Sequence, residues 1–142
     1  MIVLGFGGEP MNYYDTLILV SDDCPVHESK VPESNQKKQT MAEIEYRLLN
    51  ENPVFYTQDN LQFEVHMKHK NISESQREKE KTCFLGKSRA CMRSSALPKR
   101  FGWGIYFNSN GKAELVPVES QRYQDLQKQD DIIKLKALKS KK

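Results

Sequence analysis

Apolar and polar residues alternate without a break from Leu61 to Lys68: Leu61, Phe63, Val65 and Met67 fall on one side, Gln62, Glu64, His66 and Lys68 on the other. A period of two predicts a half-buried strand. The same period recurs over 101–107, with Phe101, Trp103, Ile105 and Phe107 opposed to Gly102, Gly104 and Tyr106, and predicts a second strand. Two glycines leave that second side bare, so another element, ring or ligand should approach closely there. Residues 14–20 are almost wholly apolar, aromatic or β-branched, as an interior strand would be. Asn108-Ser-Asn-Gly111 reads as a hairpin turn, because Asn-Gly tolerates positive φ, and leads into a returning strand over 112–118. Leu97-Pro98 should be extended ahead of 101–107, since proline disfavours helical geometry in the residue before it.

Helical spacing appears in two other stretches. Met41, Ile44, Leu48 and Leu49 form a stripe behind the capping box Thr40-Met-Ala-Glu43, which predicts a helix over 40–51. A second helix is predicted over 73–85, capped by Ser73-Glu-Ser-Gln76 and stopped at Gly86. It is charged until Cys83, Phe84 and Leu85, so its C-terminal end should hold it to the rest. Ser120 can cap a last helix that turns Tyr123 and Leu126 inward. These elements predict an α+β fold: one domain with a mainly antiparallel sheet of about four strands (14–20, 61–68, 101–107 and 112–118) and helices packed chiefly on one face.

The two ends read differently. Gly7-Gly8-Glu9-Pro10-Met11 back-translates as a bacterial ribosome-binding sequence ahead of an ATG, so residues 1–10 are expected to be an untranslated or disordered leader and Met11 the start. The domain is expected to span 11–128. Residues 129–142 carry five lysines and read as a frayed or disordered tail.

With 142 residues, 37% of them hydrophobic, the chain can build one core but not two. No apolar run approaches the roughly 20 residues that span a bilayer, and residues 1–6 lack the basic start of a secretory signal. Cys24, Cys83 and Cys91 are odd in number and form no Cys-x-x-Cys pair. They point to reduced thiols in a cytoplasm rather than a disulfide framework or a zinc site. No glycine-rich phosphate loop follows a strand, so neither a metal nor a cofactor is expected. The net charge of +3 hides an uneven distribution. No Asp or Glu occurs from Lys81 to Ala113, where seven cations lie, whereas the first 36 residues hold six acids and one lysine. An anionic partner, or the two regions facing each other, would explain the split.

Three function classes fit these residues. The first is a binding module for a small anionic ligand. Arg93, Lys99 and Arg100 would converge on a site floored by the Gly102/Gly104 side, with Trp103 or Tyr106 stacking on the ligand. Nucleic acid belongs to this class, but a pI of about 8.7 falls below the value above about 9 usual for dedicated binders. In a competing view, Arg93 and Arg100 are internal partners of Asp15, Asp22 or Glu64. The second class is an enzyme on a small anionic substrate, using His66, flanked by Glu64, with Cys91 or Cys24 as nucleophile. The third is a structural or interaction protein whose conspicuous residues only pack. Exposed Trp103 and Tyr106 beside the arginines would favour the first, a pocket shared by His66 and a cysteine the second, and closure of both the third.

Several strings also resemble a known family. Asn12-Tyr-Tyr-Asp-Thr16, Asp23-Cys-Pro25, Tyr56-Thr57, Phe63-Glu-Val-His66 and Leu97-Pro-Lys-Arg-Phe-Gly-Trp-Gly104 are similar to those of an uncharacterised family of small bacterial proteins. The Asp-Cys-Pro motif and the Leu-Pro-Lys-Arg-Phe/Tyr-Gly-Trp-Gly signature mark that family. The likeness runs from Met11 to about Leu126 and leaves out the lysine-rich tail. It implies no activity, because the family itself has none assigned.

Overall fold

In the computed structural model, the described residues are 12–33 and 39–140; the expected leader lies outside them. They form strands β1 (Thr16–Leu19), β2 (Trp103–Phe107), β3 (Ala113–Pro117) and β4 (Ile133–Lys136) and helices α1 (Met41–Glu51), α2 (Gln58–His69), α3 (Arg77–Leu85), α4 (Ala96–Arg100) and α5 (Gln121–Lys128). The sheet order is β3-β2-β1-β4, antiparallel except for the parallel β1–β4 pair. Every residue of β1 is buried, as a central strand covered on both faces requires. Ile18 and its cross-strand partner Ile105 face a core shared with Phe107, Ile44 and Leu48 of α1, and Leu61 and Val65 of α2. Leu17, Leu19 and Val116 point the other way, onto Tyr123 and Leu126 of α5. The expected α+β fold is therefore present, with α5 on the face opposite α1 and α2. The hairpin also forms as expected: Gly111 has φ +76°, and Asn108 Oδ1 accepts from the Asn110 and Lys112 amides.

The segment 61–68 is a helix, not a strand. Thr57 caps it by accepting from Asn60 N–H at 3.3 Å, and the helix is buried on two opposite sides. Leu61 and Val65 face the main core. Phe63 instead lies 5.8 Å from Phe84 and beneath the Arg77 guanidinium, while Met67 lies beside Ile72 and Arg77. Residues two apart on a helix differ by about 200°, so apolar residues on two opposing sides reproduce the alternation of a strand.

Five other expectations change. Leu97-Pro98 lies inside α4, where Ser95 Oγ accepts from Leu97 N–H at 3.2 Å; a proline in the first turn has no intrahelical bond to lose, and Leu97 is fully buried. Met41 is 55% exposed and does not join the α1 stripe. Thr40 does cap α1, but the Glu43 carboxylate bonds Gln39 and Arg47 instead of reaching back to Thr40. Ser73 makes no capping bond: a 3-10 turn at Glu74–Gln76 precedes α3, which buries no residue. Finally, the lysine-rich segment supplies β4, with Ile132 and Ala137 buried on either side of it. Lysines suit an edge strand, because they discourage pairing with further chains.

Candidate functional site

A cavity of about 340 Å³ opens between α1, the last turns of α2, the end of α3 and the segment 89–95. Val65, Phe84, Ala90 and Met92 make its apolar wall, and Glu45, His66, Cys91 and Lys70 contribute polar groups. Side chains of α2 pin the 89–92 segment in place. Gln58 Oε1 accepts from Met92 N–H at 2.6 Å, Gln62 Nε2 donates to the Ala90 carbonyl at 2.7 Å, and Arg89 donates to Gln62 Oε1 and to Asp59. The Arg89 guanidinium also sits over the Phe84 ring. Both members of the Arg89–Asp59 pair are largely buried, so this cation is neutralised within the fold.

Glu45 is the unusual group on the wall. It follows Ile44 and lies four residues before Leu49, both buried, and is itself half-buried at the edge of the helix side that packs inward. Ser95 Oγ donates to Glu45 Oε1 while accepting from Leu97 N–H, and no described residue hydrogen-bonds the other carboxyl oxygen. Burial pushes this carboxyl up to about 7, with the Ser95 hydroxyl opposing. His66 Nε2 lies 3.1 Å from Glu80 Oε1, and its ring packs 4.8 Å from Phe84. The Cys91 thiol adjoins the buried Tyr13 phenol. Burial and that thiol hold the phenol well above its usual range. Lys70 is exposed at the rim and forms no ion pair with a described residue.

Of the residues singled out in the sequence, the fold brings His66 and Cys91 to one cavity; Cys24 is not on its wall. Arg93, Lys99, Arg100, Trp103 and Tyr106 are not gathered. Trp103 and Tyr106 point to opposite faces of the sheet. Trp103 packs 5.3 Å from Tyr46 and donates Nε1–H to the Lys30 carbonyl at 2.8 Å, whereas Tyr106 lies beneath Arg122. Arg93 Nε donates to the Lys136 carbonyl of β4 at 2.7 Å. Lys99 and Arg100 close α4 and form no ion pair with a described residue. The glycine side of β2 is covered. A Cβ on Gly104 would meet the Tyr123 ring at 2.8 Å, and one on Gly102 the Glu28 carbonyl oxygen at 3.0 Å. The internal pairings considered for Arg93 and Arg100 do not form either: Glu64 is held by Arg77 and Asp22 by Lys136, and Asp15 is exposed and makes no salt bridge with either arginine.

Glu45, Ser95 and Lys70 escape a reading by motif. The available signal was a carboxylate beside the apolar stripe of α1. Among the described residues, no three His, Cys, Asp or Glu gather to hold a metal ion, and no helix is long and apolar enough to cross a membrane. Residues 9–142 match a family of unknown function, and the match includes the lysine-rich segment. No curated protein and no solved structure matches the chain.

Proposed function

This chain belongs to the family of unknown function DUF6157, and we propose that it is a binding module for a compact molecule with an apolar body and an anionic end, a carboxylate or phosphate. The cavity carries this reading. Its volume of about 340 Å³ lies within the range of about 300–1,000 Å³ usual for ligand pockets. Its wall is held by hydrogen bonds from α2, so a ligand need not order it. With Arg89 committed to Asp59, Lys70 is the wall cation available to an anion. A bacterial cytoplasm is the setting we infer, supported by three free cysteines. The test uses 3-phenylpropionate and phenyl phosphate as probes, with backbone amide shifts followed by NMR. The expected outcome is perturbation centred on residues 62–70 and 89–95, weakened by Lys70→Ala. Shifts centred on 99–103 instead would overturn the cavity reading.

A second reading is an enzyme on a small anionic substrate, with Cys91 as nucleophile and His66 as base. It is favoured by their shared cavity, and it requires His66 to leave Glu80 on substrate binding.

A further inference from the structure

We propose that the ligand of this cavity is a zwitterion of amino-acid type, its protonated amine seated against Glu45 and its carboxylate turned towards Lys70. The inference rests on the binding reading above and deepens it by naming the second polar end of the ligand.

Glu45 supplies the reason. One of its carboxyl oxygens is taken by Ser95, while the other lacks a partner among the described residues, on a wall otherwise formed largely by Val65, Phe84, Ala90 and Met92. A carboxylate held in such surroundings is costly unless a cation or further donors meet it. Among the described residues no ion pair to Glu45 forms: Arg89 is engaged with Asp59 and Gln62, and Lys70 is exposed at the rim. His66 is turned to Glu80. A ligand ammonium would complete the pair and satisfy the open oxygen in one contact, as charge-assisted hydrogen bonds do. The lifted proton affinity of Glu45 agrees with a carboxyl that lacks its counter-charge until a ligand brings one.

Size narrows the class further. At about 30 Å³ per water, the cavity holds roughly eleven waters, the space of a molecule with about a dozen non-hydrogen atoms. An amino acid with an aromatic or branched apolar side chain fills that volume, and Phe84 and Val65 offer its body an apolar surface.

Three probes that differ only in their ends separate the contributions: L-phenylalanine carries both charges, phenethylamine the amine alone and 3-phenylpropionate the carboxylate alone. Their dissociation constants would be measured by calorimetry on the full chain and on Glu45→Gln, which keeps the side-chain size and can still accept from Ser95. Phenylalanine should bind wild type most tightly. Glu45→Gln should weaken phenylalanine and phenethylamine by roughly tenfold to a hundredfold, the worth of a charged hydrogen bond, and leave 3-phenylpropionate within about threefold. If 3-phenylpropionate binds wild type as tightly as phenylalanine does, the amine assignment is overturned while the anion reading stands; this comparison needs no variant. Unchanged phenylalanine binding in Glu45→Gln overturns it as well. Absence of binding by all three overturns both readings.

Discussion

Replacing Glu45 by glutamine should stabilise the fold at pH 8 and flatten part of its pH dependence. In the unfolded chain this carboxyl ionises near 4.5, whereas in the fold burial pushes it up to about 7. Between those values the native protein keeps a proton that the unfolded chain has released, so raising the pH favours unfolding. The contribution of the neutral carboxyl is fully present below about pH 4.5 and lost by about pH 7. The two ends of that window differ by about 3 kcal/mol, at about 1.4 kcal/mol per pH unit. The carboxyl borders a cavity that water can enter, so the expected loss is about 1–3 kcal/mol. Glutamine cannot ionise, and its amide oxygen can accept from Ser95, so the variant escapes the loss. Urea midpoints of both proteins at pH 5, 6, 7 and 8 measure it. Other titrating groups cancel in the difference between variant and wild type, which should grow in favour of the variant up to pH 8. A difference that stays constant, or that shrinks as the pH rises, would mean that Glu45 is ionised in the fold at ordinary pH and would refute the reasoning.

If Cys91 is activated by His66, iodoacetamide should alkylate it faster at pH 7 than the exposed Cys83, since the thiolate is the reactive form; peptide mass spectrometry gives the two rates, and a slower Cys91 removes the enzyme reading. Gly104→Ala should cost roughly 1–3 kcal/mol by overpacking, because its Cβ would lie 2.8 Å from the Tyr123 ring and 3.2 Å from the Ile18 carbonyl oxygen. A loss of less than about 0.5 kcal/mol in the urea midpoint would show that Tyr123 can move aside, and that the covering of β2 is loose.

The sheet was largely legible in the sequence because β1, β2 and β3 each carry a local signal: a β-branched apolar run, a period of two, and an Asn-Gly turn between the last two. What failed was the equation of period two with strand. α2 satisfies that period only because α3 and Arg77 cover Phe63 and Met67 from outside, a tertiary fact that no window over 61–68 contains. The segment 97–98 misled for a related reason: the bias against helix before a proline is weaker than the burial of Leu97 and the Ser95 cap. At the site, His66 and Cys91 were visible as chemistry, but their meeting depends on how α2 and the 89–95 segment pack. By pattern the Gly-Trp-Gly signature reads as an anion floor, whereas Tyr123 and the 28–29 backbone occupy the space its glycines leave. The bare glycine side did signal close approach, but of the chain to itself.

The central position of β1 has a consequence for biosynthesis. Its hydrogen-bonding neighbours are β2 at 103–107 and β4 at 133–136, so β1 leaves the ribosome long before the strands it pairs with. α1 and α2, which lie between them in sequence and pack on each other, can begin to associate earlier. Such non-local pairing slows folding, because loop-closure entropy is lost before the contacts that reward it can form. Meanwhile the apolar segment 16–19 stays unpaired in the nascent polypeptide, where it can find edges of other chains and is a natural target for a holding chaperone.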